Sequence, residues 1–243
     1  GIIIRENSAD ASPKARATVK ETYNSIVELL LNAEENMIAG ESERSNNKWF
    51  ASIGAVQAML SRVYLYIEMN NEAITYANKV IELGDYSLTP ASNYENYFKT
   101  AYNQDETIWC IRMLSTDNRN SGAISSMIQH DDGCWGEEGY SPDLLSDMGQ
   151  GTELEQDDVR WVFVQEPYLK NGLTLFPCRK LGGQDGSPTC ISPVIIRLSE
   201  VYFNRAEAYA KLGKDELALS DINEVRKHRM LDNVDEHLGT AAY

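Results

Sequence analysis

The sequence predicts a mainly α fold that is built from tetratricopeptide-like helical hairpins and carries a long loop-rich insert with a few short β-strands. Three observations support this prediction. Apolar residues recur every three or four positions over residues 49–83 and again over residues 194–229, and the stretch between them holds six of the seven prolines. We therefore expect a helical scaffold over about residues 18–84 and 194–230, separated by an insert over about residues 85–193.

The first predicted helix begins after Thr18. Thr18 and Glu21 have the spacing of a capping box, in which each side chain accepts a hydrogen bond from the other residue's backbone N–H. The residues that follow place an apolar stripe on one helix face, and we expect the helix to end near Ala39. The stripe consists of Val19, Tyr23, Ile26, Leu30, Ala33 and Met37.

Two helical hairpins follow, related by a constant offset of 145 residues. Tyr64 aligns with Tyr209 and Ala73 with Ala218, and Gly213 lies where a left-handed residue would end the first helix of the second hairpin. Because this offset far exceeds the length of one repeat, a large segment must be inserted between the two units. The first helix of the second hairpin is expected to carry a stripe of Ile195, Leu198, Tyr202, Ala206 and Tyr209.

The insert is expected to contain short strands and one short helix. Strand-like runs occupy Thr107–Leu114, Arg160–Val164 and Leu173–Arg179. A short helix is expected over Pro142–Met148, because Ser141 is a typical N-cap and proline is favoured at the first helical position. Long irregular insertions on a rigid scaffold are where binding residues tend to lie.

Charge and composition exclude several classes of function. The 243 residues carry a net charge of −15, which argues against binding to nucleic acid or to anionic lipid. No apolar run approaches the roughly 20 residues that a membrane-spanning helix requires. The four cysteines form no Cys-x-x-Cys pair, and the three histidines are scattered, so neither a zinc site nor a nucleophile–histidine site is indicated.

One loop of the insert, residues 130–140, combines an aromatic ring with polar side chains. A sugar ring presents flat apolar faces that match Trp or Tyr, and neighbouring acidic or imidazole groups can hydrogen-bond its hydroxyls. We predict that a ligand is contacted by His130, Asp131, Asp132, Trp135, Glu137 and Tyr140.

These residues also have structural interpretations. Trp135 could fold back and cover the core, and Tyr140 could serve only to precede the short helix. The adjacent acids in this loop are typical of a solvated surface, and their spacing favours neither a catalytic pair nor an EF-hand. We therefore predict no catalytic residue, no metal site and no cofactor, with calcium as the open alternative because carboxylate oxygens suit this cation.

The amino-acid sequences of three segments resemble those of the SusD/RagB family of nutrient-binding lipoproteins from Bacteroidetes-type bacteria. The segments are RLSEVYFNRAEAYAKLGK at residues 197–214, GYSPDLLSDM at residues 139–148 and DDVRWVF at residues 157–163. The resemblance covers about residues 18–229 and implies that residues 1–243 form a single, partial SusD-like domain that lacks N- and C-terminal parts. It also implies a structural pair between Asp157 and Arg160.

The resemblance implies a function as well. A SusD-like protein would bind an oligosaccharide or polysaccharide at the cell surface and deliver it to a SusC-like TonB-dependent transporter, without being an enzyme. It would be attached to the outer membrane by a lipid anchor, and the acylated cysteine for that anchor is not present in this chain, whose first cysteine is Cys110. The alternative is a generic tetratricopeptide-like module that binds a protein or peptide on its concave helix faces.

Overall fold

A computed structural model describes residues 1–5, 7, 9, 11–37, 47–117, 122–131 and 134–232 of the chain. Helices dominate, so the predicted mainly α class is confirmed. The α-helices are α1 (Val19–Asn36), α2 (Ile53–Tyr66), α3 (Asn70–Glu82), α4 (Tyr94–Lys99), α5 (Ile124–Ile128), α6 (Pro142–Asp147), α7 (Leu154–Asp157), α8 (Leu198–Lys211) and α9 (Asp215–Lys227). The strands are β1 (Thr107–Cys110), β2 (Tyr168–Lys170), β3 (Leu173–Leu175) and β4 (Val194–Arg197).

The two predicted hairpins are structural repeats. Helices α2 and α8 both have 14 residues, α3 and α9 both have 13, and each pair starts at the predicted offset. Both first helices end in a Schellman motif: the N–H groups of Glu68 and Met69 bond to Leu65 and Tyr64, and those of Gly213 and Lys214 bond to the equivalent carbonyls. The residue at the turn is left-handed in both units, with φ of +61° at Glu68 and +69° at Gly213.

This repeat yields a test of local strain. Glu68 has a side chain where the equivalent position has glycine, and a left-handed conformation costs an L-residue roughly 1–2 kcal/mol. We expect Glu68→Gly to raise the free energy of unfolding by about 0.5–1 kcal/mol, since the gain exceeds the entropy cost of glycine. Gly213→Ala should lower it by a similar amount. Urea unfolding of both variants measures this, and a loss of stability in Glu68→Gly would contradict it.

Helix α2 lies at the centre of the scaffold, and small residues let its neighbours approach closely. Ala55, Ala58 and Ala77 are almost completely buried and pack with Val80 and Val201 in the main core. Across this core, the guanidinium of Arg62 on α2 contacts Glu200 on α8 at 2.5 and 2.8 Å. Shape and charge together therefore fix the two hairpins against each other.

Helix α1 covers one side of this scaffold. The predicted capping box is confirmed, because the Thr18 side chain accepts from the Glu21 N–H and Glu21 accepts from Thr18. Its inner stripe, which includes Leu30 and Ala33, packs against a second core cluster around Leu60. No residue of α1 is fully buried, so α1 is a peripheral layer.

Residues 194–197 correct one prediction. Ile195 was expected on a helix face, but the structure places Val194–Arg197 in β4, and α8 begins only at Leu198. Strand β4 pairs antiparallel with β1, joining Cys110 to Val194 and Thr107 to Arg197. The β-branched run favours an extended backbone, and a distant partner strand satisfies its hydrogen bonds.

Residues 159–163 correct a second prediction. The expected strand at Arg160–Val164 is a 3₁₀-helix, Val159–Phe163, because the Asp158 side chain accepts from the Arg160 N–H and caps a turn. Asp158, rather than the expected Asp157, also forms the ion pair with Arg160. Trp161 is partly buried and donates its indole N–H to the Met148 carbonyl at 2.8 Å.

Other expectations in the insert are confirmed. The short helix α6 begins at Pro142, with the Ser141 side chain accepting from the Leu144 N–H. The expected strands at Thr107–Leu114 and Leu173–Arg179 exist as the shorter β1 and β3.

Candidate functional site

The loop over residues 130–140 folds back onto α5. The N–H of Trp135 bonds to the Ser126 carbonyl at 2.6 Å, and the N–H of Glu137 bonds to the Met127 carbonyl at 2.6 Å. These bonds satisfy the carbonyls that the short helix leaves open at its end and hold the loop against it. Asp132, one of the predicted ligand contacts, lies outside the described residues.

A β-hairpin faces this loop. Strands β2 and β3 are joined by Asn171 and Gly172, whose φ angles of +53° and +82° are those of a type I′ turn. The imidazole of His130 stacks on the Tyr168 ring, with 3.7 Å between centroids and 4° between planes. Lys170 donates its ammonium to the Trp135 carbonyl at 2.9 Å and lies 3.7 Å from the Glu137 carboxylate.

Trp135 presents its indole to solvent. The residue is 55% exposed, so about half of its surface is open to solvent. Its backbone is held from both sides, by α5 and by Lys170. A flat apolar surface is thus displayed on a fixed backbone, which is the arrangement that stacking against a sugar face requires.

Polar groups lie beside these rings. Asp131 accepts from Arg179 at 3.0 Å and from the Gln165 amide at 3.2 Å. The amide oxygen of Gln165 in turn accepts a hydrogen bond from the backbone N–H of His130 at 3.0 Å. The Arg179 side chain is mostly exposed, and only one of its nitrogens bonds to Asp131 in this pair. Its other N–H groups can therefore donate to a ligand hydroxyl at the surface.

Gly136 allows the loop to approach the hairpin. It has a φ of +55°, and a Cβ there would lie 2.6 Å from the Tyr168 hydroxyl oxygen and 3.2 Å from the Gln129 carbonyl oxygen. Both the backbone angle and the space therefore require glycine. At Gly136, directly after Trp135, the loop therefore approaches both rings of the stacked His130 and Tyr168 pair.

Tyr140 has a different environment from Trp135. It is partly buried, forms a bridge with Phe176, and shares a 3.0 Å hydrogen bond between its hydroxyl and the Cys178 thiol. Burial, followed by the hydrogen bond to Cys178, raises the pKa of the Tyr140 phenol. Its contact with a ligand stays a prediction, as do those of the other named residues.

A cleft of about 200 Å³ opens next to this loop. Asp131 and Arg179 form one wall, so the cleft is continuous with the polar groups beside Trp135. Phe98 of α4 and Lys180 also line it.

Four side chains of the candidate site were not predicted from the sequence. They come from the segment after the short 3₁₀-helix and carry no motif, so only the hairpin's position against the loop brings them in. They are Gln165, Tyr168, Lys170 and Arg179.

The described part of the chain contains no group of three or more His, Cys, Asp or Glu side chains arranged to hold a metal ion. Calcium binding stays an open prediction, because Asp132 lies outside that part. None of the helices within the described ranges combines the length and apolar character needed to cross a bilayer.

Comparison with known proteins confirms the resemblance inferred from the sequence. The model of the SusD family matches residues 180–237. A SusD superfamily protein from Bacteroides thetaiotaomicron aligns over 99% of this chain with a TM-score of 0.78 and 25% identity. One from Bacteroides vulgatus aligns over 90% of it with a TM-score of 0.74 and 28% identity. No curated protein sequence matches the chain.

A further structure, a SusD-like carbohydrate binding protein from Bacteroides vulgatus, shares the fold, with a TM-score of 0.76 over 94% of this chain at 20% identity. The chain spans about half the length of these solved structures, namely 53%, 48% and 48% of them.

Proposed function

We propose that this SusD-family chain binds an oligosaccharide or polysaccharide at the cell surface, with the Trp135 loop as the contact surface. One observation carries the proposal. Trp135 exposes a flat apolar ring on a fixed backbone, one residue before Gly136, where the loop approaches the stacked His130 and Tyr168 rings. A protein with the same fold from Bacteroides vulgatus is a carbohydrate binding protein, which is consistent with this function.

The proposed mechanism is binding without bond breaking. Stacking of a sugar face on Trp135 supplies affinity, and hydrogen bonds from Arg179, Gln165 and Asp131 to hydroxyls select the sugar. Asp131 already accepts from Arg179 and is placed to accept a further hydrogen bond from a sugar hydroxyl. The proposal does not include an enzymatic activity.

The proposal includes the fate of the ligand. The bound glycan would pass to a SusC-like TonB-dependent transporter, and attachment at the outer membrane would keep the two proteins together. These steps are inferred from the resemblance to the SusD family. They do not rest on any contact within the described residues.

Trp135→Ala tests the proposed contact surface. We expect a loss of roughly tenfold in affinity for the preferred glycan, equivalent to about 1.4 kcal/mol, because the stacking surface is removed. The measurement is titration calorimetry against a panel of neutral oligosaccharides and polysaccharides, with and without calcium. Tyr66→Ala is the matched control, since Tyr66 is 66% exposed but lies at the end of α2 on the scaffold.

The outcomes separate the proposal from its alternative. Equal affinity in Trp135→Ala and Tyr66→Ala would remove the loop from the binding surface. Absence of any glycan binding, together with binding of a peptide that Trp135→Ala does not weaken, would favour the protein-binding module. Circular dichroism of both variants controls for folding.

A further inference from the structure

Two cavities next to α4 have a lysine in common among their lining residues. The first, of about 200 Å³, is the cleft beside Asp131 described above, and the second, of about 370 Å³, opens between α5 and β4. Lys180 and Phe98 line both. The larger cavity falls within the usual size of a small-ligand site, about 300–1,000 Å³, and has mostly apolar walls from residues 191–196.

The carboxylates around these cavities are all neutralised. Each acidic side chain that lines either cavity has its own cationic partner at ion-pair distance. The pairs are Glu95 with Lys99 at 2.6 Å, Asp131 with Arg179 at 3.0 Å and Glu200 with Arg62 at 2.5 Å. None of these carboxylates is left to balance a further positive charge.

Lys180 is the cation without a counter-charge. Within the described ranges it makes no ion pair and donates no hydrogen bond, and its ammonium lies 4.8 Å from the centre of the Phe98 ring. Burial lowers the pKa of the Lys180 ammonium, opposed by the phenol of Tyr94 and reinforced by the positive charge of Arg197. A partly desolvated ammonium in this position is stabilised by any anion that reaches it.

Arg197 adds a second positive charge on the same side of the cavity. Its nearest carboxylate, Glu106, is 3.9 Å away and already accepts from Arg229 at 2.8 Å and from the Thr89 N–H at 2.9 Å. The Arg197 guanidinium also lies 5.7 Å from the centre of the Phe98 ring. Two cations therefore converge on one cavity, where their mutual repulsion disfavours the empty state.

We propose that Lys180 and Arg197 bind the carboxylate of an acidic sugar, whose ring would lie against the apolar wall of the larger cavity. This inference rests on the proposed function and specifies the class of glycan. The net charge of −15 repels anions from the molecule as a whole, so attraction here must come from these local cations. Asp131 lines the first cavity and belongs to the same loop as Trp135. One saccharide chain can therefore contact both the first cavity and the Trp135 loop.

A matched pair of sugars tests the proposal. D-glucuronate and D-glucose differ only in the carboxylate, and ligand-observed NMR titration measures their affinities. We expect glucuronate to bind about tenfold tighter than glucose, the usual effect of one charge-assisted contact. Lys180→Met should abolish this preference by lowering the affinity for glucuronate about tenfold, since it removes the charge-assisted contact. Lys180→Arg keeps the charge and should retain most of the preference.

Lys211→Met is the control for net charge, because Lys211 pairs with Glu207 on the outer surface of α8. It should leave the preference for glucuronate intact. Equal binding of the two sugars, or a preference that survives in Lys180→Met, would overturn this inference. If neutral glycans still bind through Trp135 in that case, the proposed function stands alone. If no sugar of either kind binds the unmodified chain, both proposals fail.

Discussion

Replacing Arg229 by Met is expected to lower the free energy of unfolding by about 3–5 kcal/mol at neutral pH, because the change leaves a buried carboxylate without its main partner. The side chain of Glu106 is 0% exposed, and its oxygen lies 2.8 Å from the Arg229 guanidinium. Arg197, at 3.9 Å, remains as a weaker neighbour, so the loss should fall at the lower end of this range.

The geometry explains why the loss is large. Arg229 also donates to the carbonyl of Thr89 at 3.3 Å and lies over the Tyr94 ring at 4.1 Å. It therefore joins the segment after α9 to the start of the insert and to α4. Met preserves most of the apolar stem, so the expected loss reflects the charge and its hydrogen bonds.

The direction in which stability changes with pH follows from the pKa of Glu106. Burial by itself raises the pKa of Glu106, but the positive charges of Arg229 and Arg197 outweigh it and hold the pKa below its ordinary value. A depressed pKa contributes stability above the unfolded-state pKa, and this contribution is lost as the pH falls through the folded-state pKa. In Arg229→Met the pKa of Glu106 rises, so the variant's deficit should shrink on acidification toward about pH 4.3, the ordinary value for Glu.

Urea unfolding at neutral pH and near pH 4.5 measures both effects. Glu106→Gln/Arg229→Met should be more stable than Arg229→Met alone, since the buried charge is gone. Lys227→Met is the control, because Lys227 forms only an exposed pair with Glu224 at 3.5 Å. A deficit that is independent of pH and is not relieved by Glu106→Gln would show that packing, not charge, makes Arg229 important.

Replacing Gly182 by Ala is expected to lower the free energy of unfolding by about 1–3 kcal/mol, the usual cost of forcing an extra group into a packed site. A Cβ at this position would overlap the carbonyl oxygen of Pro188 and the side-chain amide of Gln129. Backbone atoms cannot swing away as a flexible side chain can, so the segment that carries Lys180 must shift.

The Gln129 amide makes this overlap costly. It is buried and donates to the carbonyls of Ser125, Leu181 and Pro188 at 3.3, 3.0 and 2.7 Å. Pushing it aside would leave several polar groups unsatisfied in the interior. Two of these bonds, those to Leu181 and Pro188, connect the end of α5 to the segment beside the proposed anion cavity.

Gly186→Ala is the matched control for this substitution. Gly186 lies in the same loop with a φ of +76°, but a Cβ there would meet no atom within 4 Å. It should cost only the backbone strain, about 1 kcal/mol. Thermal unfolding of the two variants compares them, and a loss in Gly186→Ala equal to or larger than that in Gly182→Ala would argue against a tight approach at Gly182. A parallel loss of glucuronate preference in Gly182→Ala is also expected.

The helical scaffold could be predicted from local pattern because its signals lie within one or two turns of each other. The capping box at Thr18, the repeated stripes and the left-handed Gly213 each involve residues that are close in sequence. Periodicity failed where pairing is distant. Residues 194–196 suit a strand or a buried helix equally well by hydrophobicity, and the hydrogen bonds to β1 select the strand.

The candidate site likewise has features that the sequence predicts and features that only the tertiary structure determines. The sequence by itself determined the scaffold, the position of the insert and the presence of Trp135 in a polar, glycine-rich loop, because these depend on composition and short-range spacing. The tertiary structure alone decided that Trp135 is mostly exposed, that Tyr168 stacks on His130, and that Lys180 has no ion-pair partner among the described residues. Exposure and charge balance are sums over neighbours from distant parts of the chain, so no local pattern encodes them.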